Sequence, residues 1–139
     1  MINLEICLKL IAGMQIFIAI VNLFLVRILG WEKDVRQMPL LVREVFQVHL
    51  WFISVILLIF GFLTWRFAAE MQSGSNAVAT WLAGAMGLFW LLRVILQVVY
   101  YSGSHWRGQA GRTLIHVMCL AIYSGMMAVD LWAFLQGKF

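Results

Sequence analysis

A long apolar stretch lies at residues 41–67, LVREVFQVHLWFISVILLIFGFLTWRF. Between Glu44 and Arg66 it contains no Asp, Glu, Lys or Arg. A bilayer core about 30 Å thick is crossed by roughly 20 apolar residues of α-helix, so this stretch is long enough to span a membrane. Its apolar residues do not alternate with polar ones at period two, which excludes a strand of a membrane β-barrel.

Three further stretches of the same kind occupy about residues 6–29, 77–101 and 113–134. The segments between the stretches, residues 30–34, 72–76 and 103–111, carry glycines, polar residues or charges that are typical of loops. Spans at these positions leave no room for a soluble domain. The sequence therefore predicts an all-α fold: one integral membrane domain over residues 1–139, built as a four-transmembrane-helix bundle with up-down topology and short loops.

The composition excludes several classes of protein. Of the residues, 64% are hydrophobic and only 12% are charged, whereas a soluble domain has about 25% charged residues and under half apolar ones. A soluble enzyme, a disordered tail and a disulfide-stapled secreted fold are therefore excluded. The formal net charge of +4 is explained by cations that flank the membrane next to anionic lipid, so no nucleic-acid partner is expected.

The cationic side chains near the helix ends predict an orientation. The side with the first and third loops carries Arg27, Lys33, Arg36, Arg43, Arg107 and Arg112. The opposite side carries Lys9, Arg66 and Lys138. Because cytoplasmic loops are enriched in Lys and Arg, both termini are expected outside and those two loops in the cytoplasm.

Polar side chains from all the spans are expected at one depth. At 1.5 Å per residue, five of them lie roughly 4–12 Å inside the inner membrane surface. They are Asn22, His49, Arg93, Gln97 and His116. Polar groups at this depth avoid lipid by facing the bundle interior or a partner subunit, so this level is the candidate site.

The helical spacing groups these residues into faces. Arg93 and Gln97 are four residues apart, and Tyr100 follows Arg93 by seven, so the three share one face of the third span. On the fourth span His116, Tyr123 and Asp130 recur at seven-residue steps. On the first span Gln15 and Asn22 repeat the seven-residue step. Three of the spans therefore each present a polar line that must be covered by something other than lipid.

Three interpretations of the polar residues remain open, and one of them is contact with a partner subunit. In the structural one, Arg93 pairs with Glu44 and the histidines cap or bridge helix ends. In the functional one, His49 and His116 act as metal ligands to a b-type haem or a chlorophyll-type pigment, or line a quinone pocket. Arg93 would then face a propionate or a quinone oxygen, and Gln97 and Tyr100 would orient the ligand.

Two segments carry a resemblance. Residues 39–49, PLLVREVFQVH, and residues 90–101, WLLRVILQVVYY, resemble a loose group of small four-helix bacterial integral membrane proteins with no known activity. These proteins share the Pro-Leu opening with a following Arg and Val-Phe, and the Trp, Arg and Gln of the second segment. The resemblance implies a bacterial inner membrane location, and it implies that Arg93 and Gln97 act as a unit.

The sequence favours a non-catalytic function. It has neither the H-E-x-x-H nor the G-x-S-x-G motif and no loop long enough to hold a substrate. Small residues spaced for close helix packing occur at Ala79, Ala83 and Gly87, and again at Ala121 and Gly125. The leading hypothesis is therefore an accessory or scaffold subunit that contacts other transmembrane subunits or forms a homo-oligomer. The alternative is a small redox subunit that binds haem, quinone or pigment.

Overall fold

The computed structural model describes residues 3–100 and 110–138, and the regular elements within them are all helices. The helices, in chain order, are α1 (Leu4–Leu23), α2 (Leu25–Ile28), α3 (Glu32–Gln37), α4 (Leu40–Ser73), α5 (Ala77–Val99) and α6 (Ala110–Gln136). Four of them, namely α1, α4, α5 and the Thr113–Gln136 part of α6, are long and apolar enough to cross a membrane. The predicted fold class is thus confirmed, and the chain is a multi-pass membrane protein.

The first predicted span is shorter than expected. It was expected to continue to about residue 29, but α1 ends at Leu23, and the chain turns at Phe24 before the four-residue helix α2. Gly30 follows with a φ of +68°, a conformation that a residue without a Cβ adopts readily. The predicted charged loop then contains the short helix α3, whose Val35 is buried.

The second span is longer than expected. Helix α4 starts directly after Pro39, where the missing amide hydrogen costs nothing, and Met38 has the extended backbone usual before proline. The helix was predicted to end near residue 67 but continues to Ser73. Polar residues after Phe67 end the apolar stretch without ending the helix, which stops at Gly74, where φ is +65°.

The described residues form two compact units, and Lys9–Arg66 is one of them. In this unit α1 and α4 pack closely at Gly61, because a Cβ there would lie 2.6 Å from Ile16 Cγ1 and 3.0 Å from the Ala12 carbonyl oxygen. Further along the pair, Asn22 Nδ2 donates to the Leu50 carbonyl oxygen at 2.9 Å and to Ser54 Oγ at 2.9 Å. These contacts fix the two helices as an antiparallel pair.

The other unit comprises Met1–Leu8 and Phe67–Phe139. Its main elements are α5 and α6. Asn76 caps α5, since its Oδ1 accepts from the backbone nitrogens of Val78 at 2.9 Å and Ala79 at 3.4 Å. The described part of α6 runs antiparallel to α5.

Small residues set the spacing of α5 and α6. A Cβ at Gly84 would lie 2.7 Å from the Phe134 ring, and one at Gly87 would lie 2.7 Å from Leu131 Cδ2. Large side chains of α6 therefore pack against Gly84 and against Gly87, which is one of the small residues that the sequence singles out on α5.

Candidate functional site

A line of polar and aromatic contacts joins α5 to α6. It is formed by Trp90, Arg93 and Gln97 of α5 with Tyr123 and His116 of α6, and we refer to these residues as the polar seam. Trp90 and Gln97 are buried, and the other three are half-buried. The residues face one another because seven-residue steps on two antiparallel helices keep the same sides in contact.

Tyr123 lies between an aromatic ring and a cation. Its ring stacks on Trp90 with 5.5 Å between centroids and an interplanar angle of 17°. The guanidinium carbon of Arg93 lies 4.7 Å from the centroid of the same ring. An arginine over an aromatic face gains electrostatic stabilisation, and more of it when water is excluded. Tyr123 thus gives Arg93 a partner inside the span. The partner expected from the sequence is an acidic residue, Glu44.

Gln97 and His116 form the second contact of the seam. Gln97 Nε2 donates to His116 Nδ1 at 2.8 Å. When Nδ1 of a neutral imidazole accepts a hydrogen bond, the ring proton lies on Nε2. With the amide turned over, Nδ1 would donate to Gln97 Oε1 and Nε2 would carry the lone pair, so this contact fixes the position of the His116 ring and not its tautomer. Gln97 Oε1 is buried without a hydrogen-bond partner among the described residues.

His49 has a different environment. It is exposed on α4, and its Nδ1 donates to the Val45 carbonyl oxygen of the same helix at 2.8 Å. In a neutral ring that bond leaves the Nε2 lone pair available. Histidines that ligate metals commonly hold their second nitrogen in this way. The two histidines of the predicted site therefore bond to different partners, His49 to a backbone carbonyl oxygen and His116 to a side-chain amide.

Tyr100 lies at the end of α5 and is 81% exposed. Its spacing from Arg93 and Gln97 predicts the same helix face, but its side chain is not buried between α5 and α6. Tyr101, the predicted end of this span, and Arg107 of the third loop fall outside the described residues, as does the side chain of Arg112. What the sequence predicts for these three residues therefore stays a prediction.

Two buried polar side chains were not part of the predicted site. Asp130 on α6 has an exposure of 0%, and neither carboxylate oxygen has a hydrogen-bond partner among the described residues. Gln15 on α1, in the other unit, is equally buried and equally without partners for its amide. Both residues stood on predicted polar lines, but sequence spacing alone could not separate a buried group without a partner from one that is hydrogen-bonded.

A metal ion is held in a protein by several ligating side chains that lie close together. Within residues 3–100 and 110–138, no three His, Cys, Asp or Glu side chains come together in a group that could hold a metal ion. The hydrogen bond from Nδ1 of His49 to the Val45 carbonyl oxygen fits ligation by a single histidine through Nε2. The polar seam holds the guanidinium group of Arg93 against the Tyr123 ring, and it positions the imidazole of His116 beside Gln97.

No protein-family model, curated protein or solved structure matches the chain.

Proposed function

We propose that this protein is a non-catalytic accessory or scaffold subunit of a larger complex in a bacterial inner membrane. The single observation that carries the proposal is Gly125, in the middle of α6. A Cβ built on it would meet no atom within 4 Å. A glycine inside a helix is less favourable than alanine by about 1 kcal/mol, so a helical glycine that no described residue crowds suggests a contact outside the described residues.

Gly125 contrasts with the two glycines of α5, and it shares its open surroundings with Gly13 of α1. On α5 the space beside Gly84 is occupied by Phe134, and the space beside Gly87 by Leu131, both of the same unit. Gly125 is exposed, and so are Ala121 and Ala128, which precede and follow it on the same helix face. In lipid, helices associate through close packing of small residues because no hydrophobic effect drives them together. This face of α6 is therefore the proposed contact with another transmembrane helix.

The orientation is part of the proposal. The excess of Lys and Arg around the first and third loops supports a cytoplasmic location for those loops and an outside location for both termini. Under this orientation α6 begins at the cytoplasmic surface, and its small-residue face lies within the membrane.

The size of the native assembly tests the proposal. Membranes are solubilised in mild detergent, and the complex is sized by native electrophoresis. We expect the unmodified chain to migrate in an assembly and Gly125→Leu to migrate at the size of the lone chain, because the added side chain blocks close helix approach. Ala85→Leu, at an exposed alanine of α5, is the matched control and should leave the assembly intact.

Two results would contradict the subunit proposal. One is an unmodified chain that migrates alone under the same conditions. The other is an assembly that both leucine variants leave unchanged. Circular dichroism of both variants establishes that the helices are retained, which is expected because a side chain at Gly125 meets open space within the chain.

A second candidate function has one specific observation in its favour. His49 is exposed with Nδ1 bonded to its own helix, so its Nε2 is available to one axial position of a haem or chlorophyll-type pigment. Such a group would bring its own redox or light-absorbing chemistry. The chain would contribute the imidazole and the apolar surface around it.

Titration with haem tests this candidate. We expect haem added to the purified protein in detergent to give a shifted Soret band, and His49→Gln to abolish the shift because it removes the imidazole. His116→Gln is the control and should keep it. A shift that is lost only in the His116 variant, or no shift at all, would reject ligation by His49.

A further inference from the structure

The unit Lys9–Arg66 contains an open depression that the accessory-subunit function does not use. It lies where α2, α3 and the first turns of α4 come together, and its volume is about 400 Å³. Its lining residues are Val26, Glu32, Val35, Arg36, Arg43 and Gln47. Val35 is buried with an exposure of 6%, so the depression has an apolar side as well as its polar groups.

The polar groups of the depression give it a positive character. Two guanidinium groups, from Arg36 and Arg43, stand against one carboxylate, from Glu32. No hydrogen bond or ion pair joins these side chains to each other or to another residue within 3–100 and 110–138. Arg36 and Glu32 are one helical turn apart, a spacing at which a pair often forms, and here it does not. Among the described residues, the guanidinium donors of Arg36 and Arg43 therefore have no partner.

We propose that this depression binds a phosphate group, carried by an acidic phospholipid or present as free phosphate. The planar fork of an arginine matches two phosphate oxygens, and two such forks lining one depression can hold a single anion. Gln47 adds an amide donor. A volume of about 400 Å³ exceeds what a phosphate fills, which leaves space for the glycerol part of a lipid headgroup.

The neighbouring surface suits a lipid. Ile28 on α2 and Leu41 on α4 are 60% and 72% exposed and lie two residues from Val26 and Arg43. Apolar side chains next to a cationic depression at the end of a membrane span contact acyl chains while the headgroup meets the arginines. Glu32 opposes an anion, so its carboxylate weakens binding, and its removal should strengthen it.

Thermal unfolding of the full chain in detergent tests the proposal with two probes. One is phosphatidylglycerol, compared with the same amount of phosphatidylcholine. The other is sodium phosphate, compared with sodium chloride at equal ionic strength. We expect at least one probe to raise the Tm, because a ligand that binds only the folded state stabilises it. A response to phosphatidylglycerol alone identifies the lipid as the source, and a response to both includes free phosphate.

Variants of the lining residues show whether the rise in Tm depends on the depression. We expect Arg36→Gln and Arg43→Gln each to weaken the apparent affinity by about tenfold or more, the usual loss for a charge-assisted hydrogen bond. Glu32→Gln should strengthen it. Arg27→Gln is the matched control, since Arg27 is an exposed arginine on α2 that does not line the depression. The proposal is overturned if neither probe raises the Tm, or if Arg27→Gln lowers the response as much as the two lining variants do.

Discussion

Replacing Gly87 with alanine is expected to lower the free energy of unfolding by about 1–3 kcal/mol, the usual cost of adding atoms to a packed interior. The new Cβ would lie 2.7 Å from Leu131 Cδ2, 2.8 Å from Leu131 Cγ and 3.1 Å from the Leu131 backbone nitrogen. A leucine side chain can rotate away, but the backbone nitrogen moves only with the helix. The substitution therefore pushes α5 and α6 apart.

The same substitution at Gly125 is the matched control and should have the opposite sign. Nothing lies within 4 Å of a Cβ there, so Gly125→Ala should stabilise the isolated chain by up to about 1 kcal/mol through helix propensity. Both variants are compared by unfolding in mixed micelles, followed by circular dichroism. If Gly87→Ala were as stable as Gly125→Ala, α5 and α6 would not pack in this register.

Asp130→Asn is expected to raise the free energy of unfolding at neutral pH by about 1 kcal/mol, because a buried carboxyl without a partner ionises only at a large cost and an amide does not ionise. Both carboxylate oxygens of Asp130 are buried and unbonded among the described residues. Asparagine has nearly the same shape and cannot carry a charge, so the substitution removes the cost of burying an ionisable group without opening a cavity.

The chain contains a matched control for this prediction. Asp34→Asn makes the same chemical change on the exposed side of α3 and should alter the stability by less than about 0.5 kcal/mol. Unfolding of both variants in mixed micelles measures the difference. If Asp130→Asn were strongly destabilising, the carboxylate would have a partner in the folded protein.

The number and approximate position of the spans could be predicted from the sequence because hydropathy and length are local properties. The ends of α1 and α4 could not. Helix α1 ends at Leu23, next to Asn22, whose side chain bonds to Leu50 and Ser54 on α4, a contact between residues far apart in sequence. Helix α4 runs past Phe67 because loss of hydropathy does not break a helix, whereas Gly74 does.

For the polar residues, the sequence likewise predicts the helix face but not the contact partner. Seven-residue spacing placed His116 and Tyr123 on one face of α6, and both contact α5. The spacing could not say which group each would meet, because that depends on the relative register of two helices. Arg93 was expected to need an acidic partner, and the ring of Tyr123 provides an alternative that a list of charges does not contain.

The length of α4 determines where its last turns lie. With 34 residues the helix measures about 51 Å, and complete immersion in a hydrocarbon core of about 30 Å would require a tilt of about 54°. Transmembrane helices tilt by at most about 40°. One end of α4 must therefore stand in the headgroup region or in water, and the end with Arg66, Glu70 and Gln72 is polar enough to do so. Since the backbone nitrogen of Glu5 donates to Gln72 Oε1 at 2.8 Å, the first turn of α1 is held at that aqueous level.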